Sequence, residues 1–185
     1  MGKDYHCCRL IFGEADFLPG LTVDRFDKVL VAQVLSLGIE VRKGMIFKFL
    51  VELLRAQGEQ IDALYERNDV KIRELEGLTQ NTGFYDLGLE QSIEVPTKFI
   101  FEENNIKYKI DIAEGQKTGY FLDQKYNRQA VARLSRGKHV LDCFTHTGAF
   151  ALNAAKGGAA AVTAVDISKE AVALTTDNIK LNGME

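Results

Sequence analysis

Residues 140–150, Val-Leu-Asp-Cys-Phe-Thr-His-Thr-Gly-Ala-Phe, and residues 162–168, Val-Thr-Ala-Val-Asp-Ile-Ser, constrain this chain more than any other stretch. Each begins as an apolar run and ends in a carboxylate, and an Ala-rich helical segment lies between them. Strand, helix and strand in that order make a β-α-β unit with parallel strands. Open parallel sheets hold ligands in the crevice beyond the carboxyl ends of their strands, and here both strand ends present an acid to it. A carboxylate accepts two hydroxyl hydrogen bonds at once, so an acid after the second strand suits a ribose diol and hence a nucleoside-type cofactor.

The loop Phe144-Thr-His-Thr-Gly148 narrows the choice. A dinucleotide site needs closely spaced glycines, so that a pyrophosphate can approach the helix N-terminus. This loop has one glycine, an aromatic and two hydroxyls, with no Gly-x-Gly-x-x-Gly and no Gly-Lys-Ser/Thr. With Asp142 two residues ahead of Phe144, it suits a ligand that carries an ammonium and no phosphates. S-adenosylmethionine is such a ligand. The alternative is a β-α-β unit with an empty crevice.

At 185 residues the chain can hold one domain or two small ones. Its apolar fraction of 46% and charged fraction of 26% are those of an ordinary globular protein. A net charge of −3 offers no global attraction for nucleic acid, so an RNA partner would have to use a local patch. Cys7, Cys8 and Cys143 make no disulfide framework, which points to a reducing, cytoplasmic compartment. The polar N-terminus reads as no signal peptide, and no apolar run reaches the ~18 residues a membrane span needs, so no membrane partner is expected.

Two blocks follow from the patterning: an α+β domain over 1–113, then the start of a Rossmann-like α/β domain over 114–185. In the first, residues 21–26 and 29–35 form a hairpin around Asp27-Lys28. Val41, Met45, Ile46, Phe49, Leu50, Leu53 and Leu54 recur at helical spacing, predicting an amphipathic helix with Arg42, Lys43, Lys48 and Arg55 outward. Residues 61–65 read as a strand, and residues 98–102 and 106–112 as a hairpin turning at Asn104-Asn105.

In the second block helices are expected over 125–135, 148–156 and 169–182, with strands over 139–143 and 161–166. Ser168 is placed to cap the last helix, which Asn182-Gly183 ends. Two parallel strands are few for a doubly wound sheet, so the chain reads as a fragment with a raw sheet edge.

Residues 115–128, Gly-Gln-Lys-Thr-Gly-Tyr-Phe-Leu-Asp-Gln-Lys-Tyr-Asn-Arg, complete a signature. With residues 141–150 and Val165-Asp-Ile-Ser-Lys-Glu-Ala171, the chain resembles the class I S-adenosylmethionine-dependent methyltransferases of the bacterial large-subunit ribosomal RNA 5-methylcytosine type. Residues 65–69 with 73–78, and 12–16 with 18–25, are similar to that family's central domain, so the likeness covers nearly the whole chain. It implies an N-terminal PUA domain ending near residues 1–12, the central α+β domain, and a catalytic Rossmann-like domain. It also implies ribosomal RNA as partner, 23S cytosine C5 as target, and an attacking cysteine downstream of this chain, so that the fragment alone is expected to be inactive.

The resemblance puts Asp142 near the methionine ammonium and Phe144, Thr145, Thr147 and Gly148 along the cofactor loop. Asp166 takes the ribose hydroxyls, and Ile167 packs beside the adenine. Gln124, Asn127 and Arg128 head a helix over the cofactor, with Arg128 a candidate for a bidentate bond to the methionine carboxylate. Each has a plainer role: Asp142 capping a turn, Gly148 making one, Asp166 facing a helix dipole, and the 124–128 face meeting solvent. Lys117, Tyr120 and Phe121 can close over cofactor or RNA, with core packing the alternative for Phe121. Cys143 reads as a buried small hydrophobe on the strand face opposite Asp142 rather than as a nucleophile. His146 reads as a loop histidine with a general base as its alternative role, and no metal site is expected from His6, Cys7 and Cys8. Two other readings remain open: a methyltransferase acting on another base or a small molecule, and a non-enzymatic module that binds RNA or assembles as a homo-oligomer through the α+β block.

Overall fold

A computed structural model describes residues 3–88 and 95–185. The chain forms two compact units, one of Met1–Lys98 with Asp111–Leu122, the other of Phe99–Ile110 with Asp123–Glu185.

The first unit is built on five strands: β1 (Cys7–Phe12), β2 (Leu21–Phe26), β3 (Val29–Val34), β4 (Ala63–Asn68) and β5 (Asn81–Phe84), ordered 1-2-3-4-5 in one sheet. The β2–β3 hairpin runs in unbroken register from Leu21 opposite Val34 to Phe26 opposite Val29. Its turn uses Asp27 in the left-handed region, at φ 55°. β3 and β4 are parallel, which requires a crossover, and after the short helix α1 (Leu37–Glu40) the helix α2 (Lys43–Ala56) supplies it. The core gathers Leu21, Val23, Leu30, Ala32, Val34, Phe47, Val51, Leu54, Ile61 and Leu64 between this sheet and α2. The short helix α3 (Ile72–Leu75) follows β4.

Two readings change here. Residues 7–12, set by the sequence near the end of a preceding domain, pair as β1 with β2 in this sheet. More consequentially, α2 lies with a different face inward. Phe47, Val51 and Leu54 are buried, whereas Val41, Met45, Phe49 and Leu53 are 67%, 55%, 60% and 57% exposed. The helix is apolar around most of its circumference, so periodicity alone could not choose the buried side. Lys43, expected outward, instead reaches Glu40 at 2.7 Å and Glu66 at 2.8 Å.

The second unit holds β6 (Lys98–Glu103) and β7 (Ile106–Asp111), α4 (Lys125–Leu134), β8 (His139–Cys143), α5 (Ala149–Lys156), β9 (Ala161–Val165) and α6 (Lys169–Leu181). The β6–β7 turn falls at Asn104 and Asn105, both at φ 56°, the twin left-handed residues of the tightest hairpins. The sequence grouped this hairpin with the N-terminal block. It belongs instead with residues 123–185: Asn153 donates to Tyr108 Oη at 2.9 Å, and the backbone N–H groups of Lys107 and Lys109 donate to the side-chain oxygens of Asn182 and Asn178. β8 and β9 pair in parallel, from His139 beside Ala161 to Cys143 beside Val165. Ser168 caps α6, its hydroxyl accepting from the N–H of Ala171 at 3.1 Å. Among the described residues no helix is long and apolar enough to cross a membrane.

Candidate cofactor site at the ends of β8 and β9

Asp142 lies one residue before the end of β8, and Asp166 directly follows β9. Asp142 is in register with Ala164, so Asp166, two residues further on, falls on the same side of the sheet by strand alternation. The loop between β8 and α5 joins both acids through consecutive residues. Thr145 donates its hydroxyl to Asp142 Oδ2 at 2.6 Å, and the N–H of His146 donates to Asp166 Oδ2 at 2.9 Å. Asp142 Oδ2 also accepts the N–H of Ala151 at 3.0 Å, and Asp166 Oδ1 that of Ser168 at 3.0 Å. Four lone-pair positions per carboxylate leave each acid with capacity for a ligand.

This bracing forces an unusual backbone. Phe144, His146 and Gly148 alternate through the left-handed region at φ 61°, 53° and 77°, and two of the three carry side chains that disfavour it. The twists turn Phe144 outward, leaving it 87% exposed, and Ile167 beside Asp166 is 98% exposed. Two large apolar side chains thus stand uncovered at the strand ends that carry the acids. An apolar ring with polar substituents would bury both.

Thr145 and Thr147 are placed differently from a lining role. Both are buried, and the hydroxyl of Thr145 braces Asp142. Gly148 starts α5, and a Cβ there would lie 2.7 Å from Thr175 Cγ2, so only glycine admits α6 this close. Thr175 and Asn178 escaped the sequence reading. The Thr175 hydroxyl donates to the His146 carbonyl at 3.2 Å, and the Asn178 amide to that of Thr147 at 2.9 Å. Their signal was two buried-side polar residues three apart on α6, a pattern common on ordinary helices.

Arg128 does not stand open toward a ligand. It is buried and grips Glu103 at two points, Nε to Oε1 at 2.7 Å and an Nη to Oε2 at 2.8 Å. Gln124 and Asn127 bond locally, Asn127 to Gln124 at 2.9 Å and Gln124 to Asp123 at 2.9 Å. Cys143 is exposed, contrary to the buried small hydrophobe expected of it, because the face of β8 opposite Asp142 has no covering element.

The electrostatics follow from the bracing. The N–H groups of Ser168 and then His146 hold the Asp166 carboxyl below its usual range, keeping it charged near neutrality. Burial pushes the His146 imidazole down, against the opposing pull of Asp166, so it is neutral there.

In the first unit, the 115–121 signature is fastened by buried charges. Thr118 donates to Asp24 at 2.6 Å, and Arg67 donates to the carbonyls of Ile112 at 2.7 Å and Gly115 at 3.0 Å. Lys117 lies over the Phe121 ring at 4.4 Å, and Tyr120 is buried.

The chain is similar to known proteins. The chain is 45% identical over 177 residues to "Ribosomal RNA large subunit methyltransferase I" of Photobacterium profundum, covering 95% of this chain and 42% of that protein. It therefore spans well under half the length of that curated relative. Among solved structures, one from Streptococcus mutans described as a candidate SAM-dependent methyltransferase superposes with a TM-score of 0.76 at 26% identity, over 97% of this chain and 43% of that one. SMU.776, a candidate methyltransferase complexed with SAH, gives 0.77 at 27% identity, with the same two coverages of 97% and 43%. The profile of the S-adenosylmethionine-dependent methyltransferases matches residues 67–185, and this chain belongs to that family.

Proposed function

We propose that the second unit binds S-adenosylmethionine at the ends of β8 and β9, as part of an enzyme that methylates large-subunit ribosomal RNA at cytosine C5. One observation carries the cofactor reading: two acids on one side of the sheet, each keeping acceptor capacity, beside two large apolar side chains left uncovered. The donor set suits this ligand. Asp166, held charged, accepts the ribose hydroxyls, and Ile167 and Phe144 flank the adenine. Asp142 attracts the methionine ammonium, and the Thr145 hydroxyl fixes the rotamer with which it does so. Gly148 keeps the backbone low beneath the ligand. Gln124 and Asn127 are further cofactor contacts on this reading, whereas Arg128 acts by holding α4 to β6.

The cofactor when bound supplies the methyl group on a sulfonium. Cytosine C5 needs a thiolate at C6 before it can accept that group, and the base must first leave its stack, as an RNA loop permits. Cys143 lies on the face opposite Asp142 and is not assigned that role.

Calorimetry of the chain with S-adenosylhomocysteine tests the cofactor reading. Binding that is lost in Asp166→Ala, with the fold unchanged by circular dichroism, is the expected result. No binding by the folded chain, or binding indifferent to that substitution, overturns it. The substrate reading is tested by labelling large-subunit RNA with the protein that carries this chain: label at cytosine C5 supports it, and label on another base overturns it.

A further inference from the structure

We propose that the segment leading into β8 is a contact for the phosphate backbone of RNA, at the end of the strands remote from Asp142 and Asp166. RNA as the occupant rests on the substrate reading above, whereas the surface is argued from its own residues. Arg133, Arg136 and Lys138 fall within six residues of one another, and all three are exposed. Among the described residues, no hydrogen bond or ion pair engages their side chains. Asp142 is the only carboxylate side chain between residues 124 and 165, and it stands near the far end of β8. A strand rises about 3.3 Å per residue, which puts Lys138 on the order of 13 Å from that acid. Cations elsewhere in the unit have acids at hand: Lys109 pairs with Asp177 at 2.9 Å, and Lys169 is followed by Glu170. The chain as a whole carries a net charge of −3, so this local excess runs against its overall balance.

The backbone holds the three cations on a firm base. The N–H of Gly137 donates to the Gly158 carbonyl at 2.8 Å, that of Ala160 to the Lys138 carbonyl at 2.8 Å, and that of Lys138 to the Ser135 carbonyl at 2.9 Å. Ser135 is buried at the end of α4, with its hydroxyl donated to the Val131 carbonyl at 2.7 Å. A Cβ on Gly157 would run into the Ala132 carbonyl, so glycine lets the 157–160 loop lie against the end of α4. That loop reads Gly-Gly-Ala-Ala, a low surface of small side chains beside the cations.

A basic residue in the last turn of a helix complements the helix dipole, which accounts for Arg133. Arg136 and Lys138 lie beyond α4 and have no such role. Exposed cations set side by side hold a single small anion weakly, because water competes for each charge. A chain of phosphates gains more, since every neutralised phosphate releases a condensed counterion. The two guanidinium forks can each take two oxygens of one phosphate. Such a contact reads no base: it adds affinity and register while the target base is taken up at the other end of the strands.

Fluorescence anisotropy of a labelled oligouridylate with the 185-residue chain, over a range of salt concentrations, tests this. The expected result is binding that the triple variant Arg133→Glu, Arg136→Glu, Lys138→Glu weakens about tenfold or more at low salt. In the triple variant with glutamine at the same positions, the slope of log affinity against log salt should become shallower by about two. Circular dichroism and S-adenosylhomocysteine calorimetry should match the parent in both variants. Equal affinity and slope in parent and variants overturn the proposal, as does a parent that binds no RNA at low salt. Polyglutamate that competes with the RNA charge for charge also overturns it, because the surface would then take any polyanion. Labelling of large-subunit RNA by the protein that carries this chain is scored separately, so the substrate reading can survive any of these failures.

Discussion

Arg128 and Glu103 form a two-point ion pair in the second unit, at 2.7 and 2.8 Å, with both side chains almost wholly removed from solvent. Buried pairs of this kind contribute little net stability while intact, but removing one partner strands a charge in a poor dielectric. Arg128→Met is expected to destabilise the chain by about 3–5 kcal/mol in urea unfolding, and Arg128→Met with Glu103→Met to recover most of that. The double variant also separates two roles for Arg128. S-adenosylhomocysteine affinity should stay within a few-fold of the parent, whereas a stable protein that no longer binds would return Arg128 to the cofactor.

Gly148 and Thr175 form a second coupled pair. Gly148→Ala must hold a Cβ at φ 77° and 2.7 Å from Thr175 Cγ2. The expected cost is about 2–4 kcal/mol, combining left-handed strain with overpacking. Thr175→Ser removes the offending methyl, so the double variant should regain the overpacking part and keep the strain. Equal losses in the single and double variants would show that the clash is not what fixes glycine here.

The acid limb of stability should carry two steps from this loop. Burial lowers the His146 value below the ordinary 6.5, so between the two values the unfolded chain holds a proton that the folded chain does not. Stability therefore falls as pH drops through that window. Asp166 is lowered from 3.8 by the N–H groups of Ser168 and His146, so its contribution is present above 3.8 and disappears as pH falls through the folded value. Urea midpoints measured against pH should show the first step vanish in His146→Gln. An imidazole that titrates above 6.5 by NMR would contradict this account.

Asp24 should govern the order of the 112–119 segment. It is fully buried and accepts two bonds from Arg9, at 2.7 and 2.9 Å, besides the Thr118 hydroxyl. Asp24→Asn replaces one acceptor with a donor facing donors, at an expected cost of about 2–4 kcal/mol. Hydrogen exchange over 112–119 should accelerate in that variant, and in Thr118→Val to a smaller degree. Unchanged exchange there would mean that Arg67 alone holds the segment.

Where local signals agreed with one another, the sequence was enough. The β8-α5-β9-α6 order, the Ser168 cap, the Asn104-Asn105 turn and the alternation that puts Asp142 and Asp166 on one side all rest on patterns a few residues long. The family match to residues 67–185 agrees with the motifs that first suggested it. Partners distant in sequence were another matter. Nothing near Arg128 announces Glu103, twenty-five residues earlier, and nothing near Gly148 announces Thr175.

The chain by itself determined the β2–β3 and β6–β7 hairpins, the helix α2, the strands and helices from α4 to α6 and the acids at two strand ends, because backbone periodicity and capping act over one or two turns. Tertiary structure alone decided which side of α2 is buried, which unit claims the β6–β7 hairpin, and that Arg128 answers a buried glutamate. The physical reason is the same in each case. A helix apolar on most sides, a hairpin between two units and an arginine with a bidentate fork all have several partners of similar local merit. Only burial against a particular neighbour makes one of them lowest in free energy.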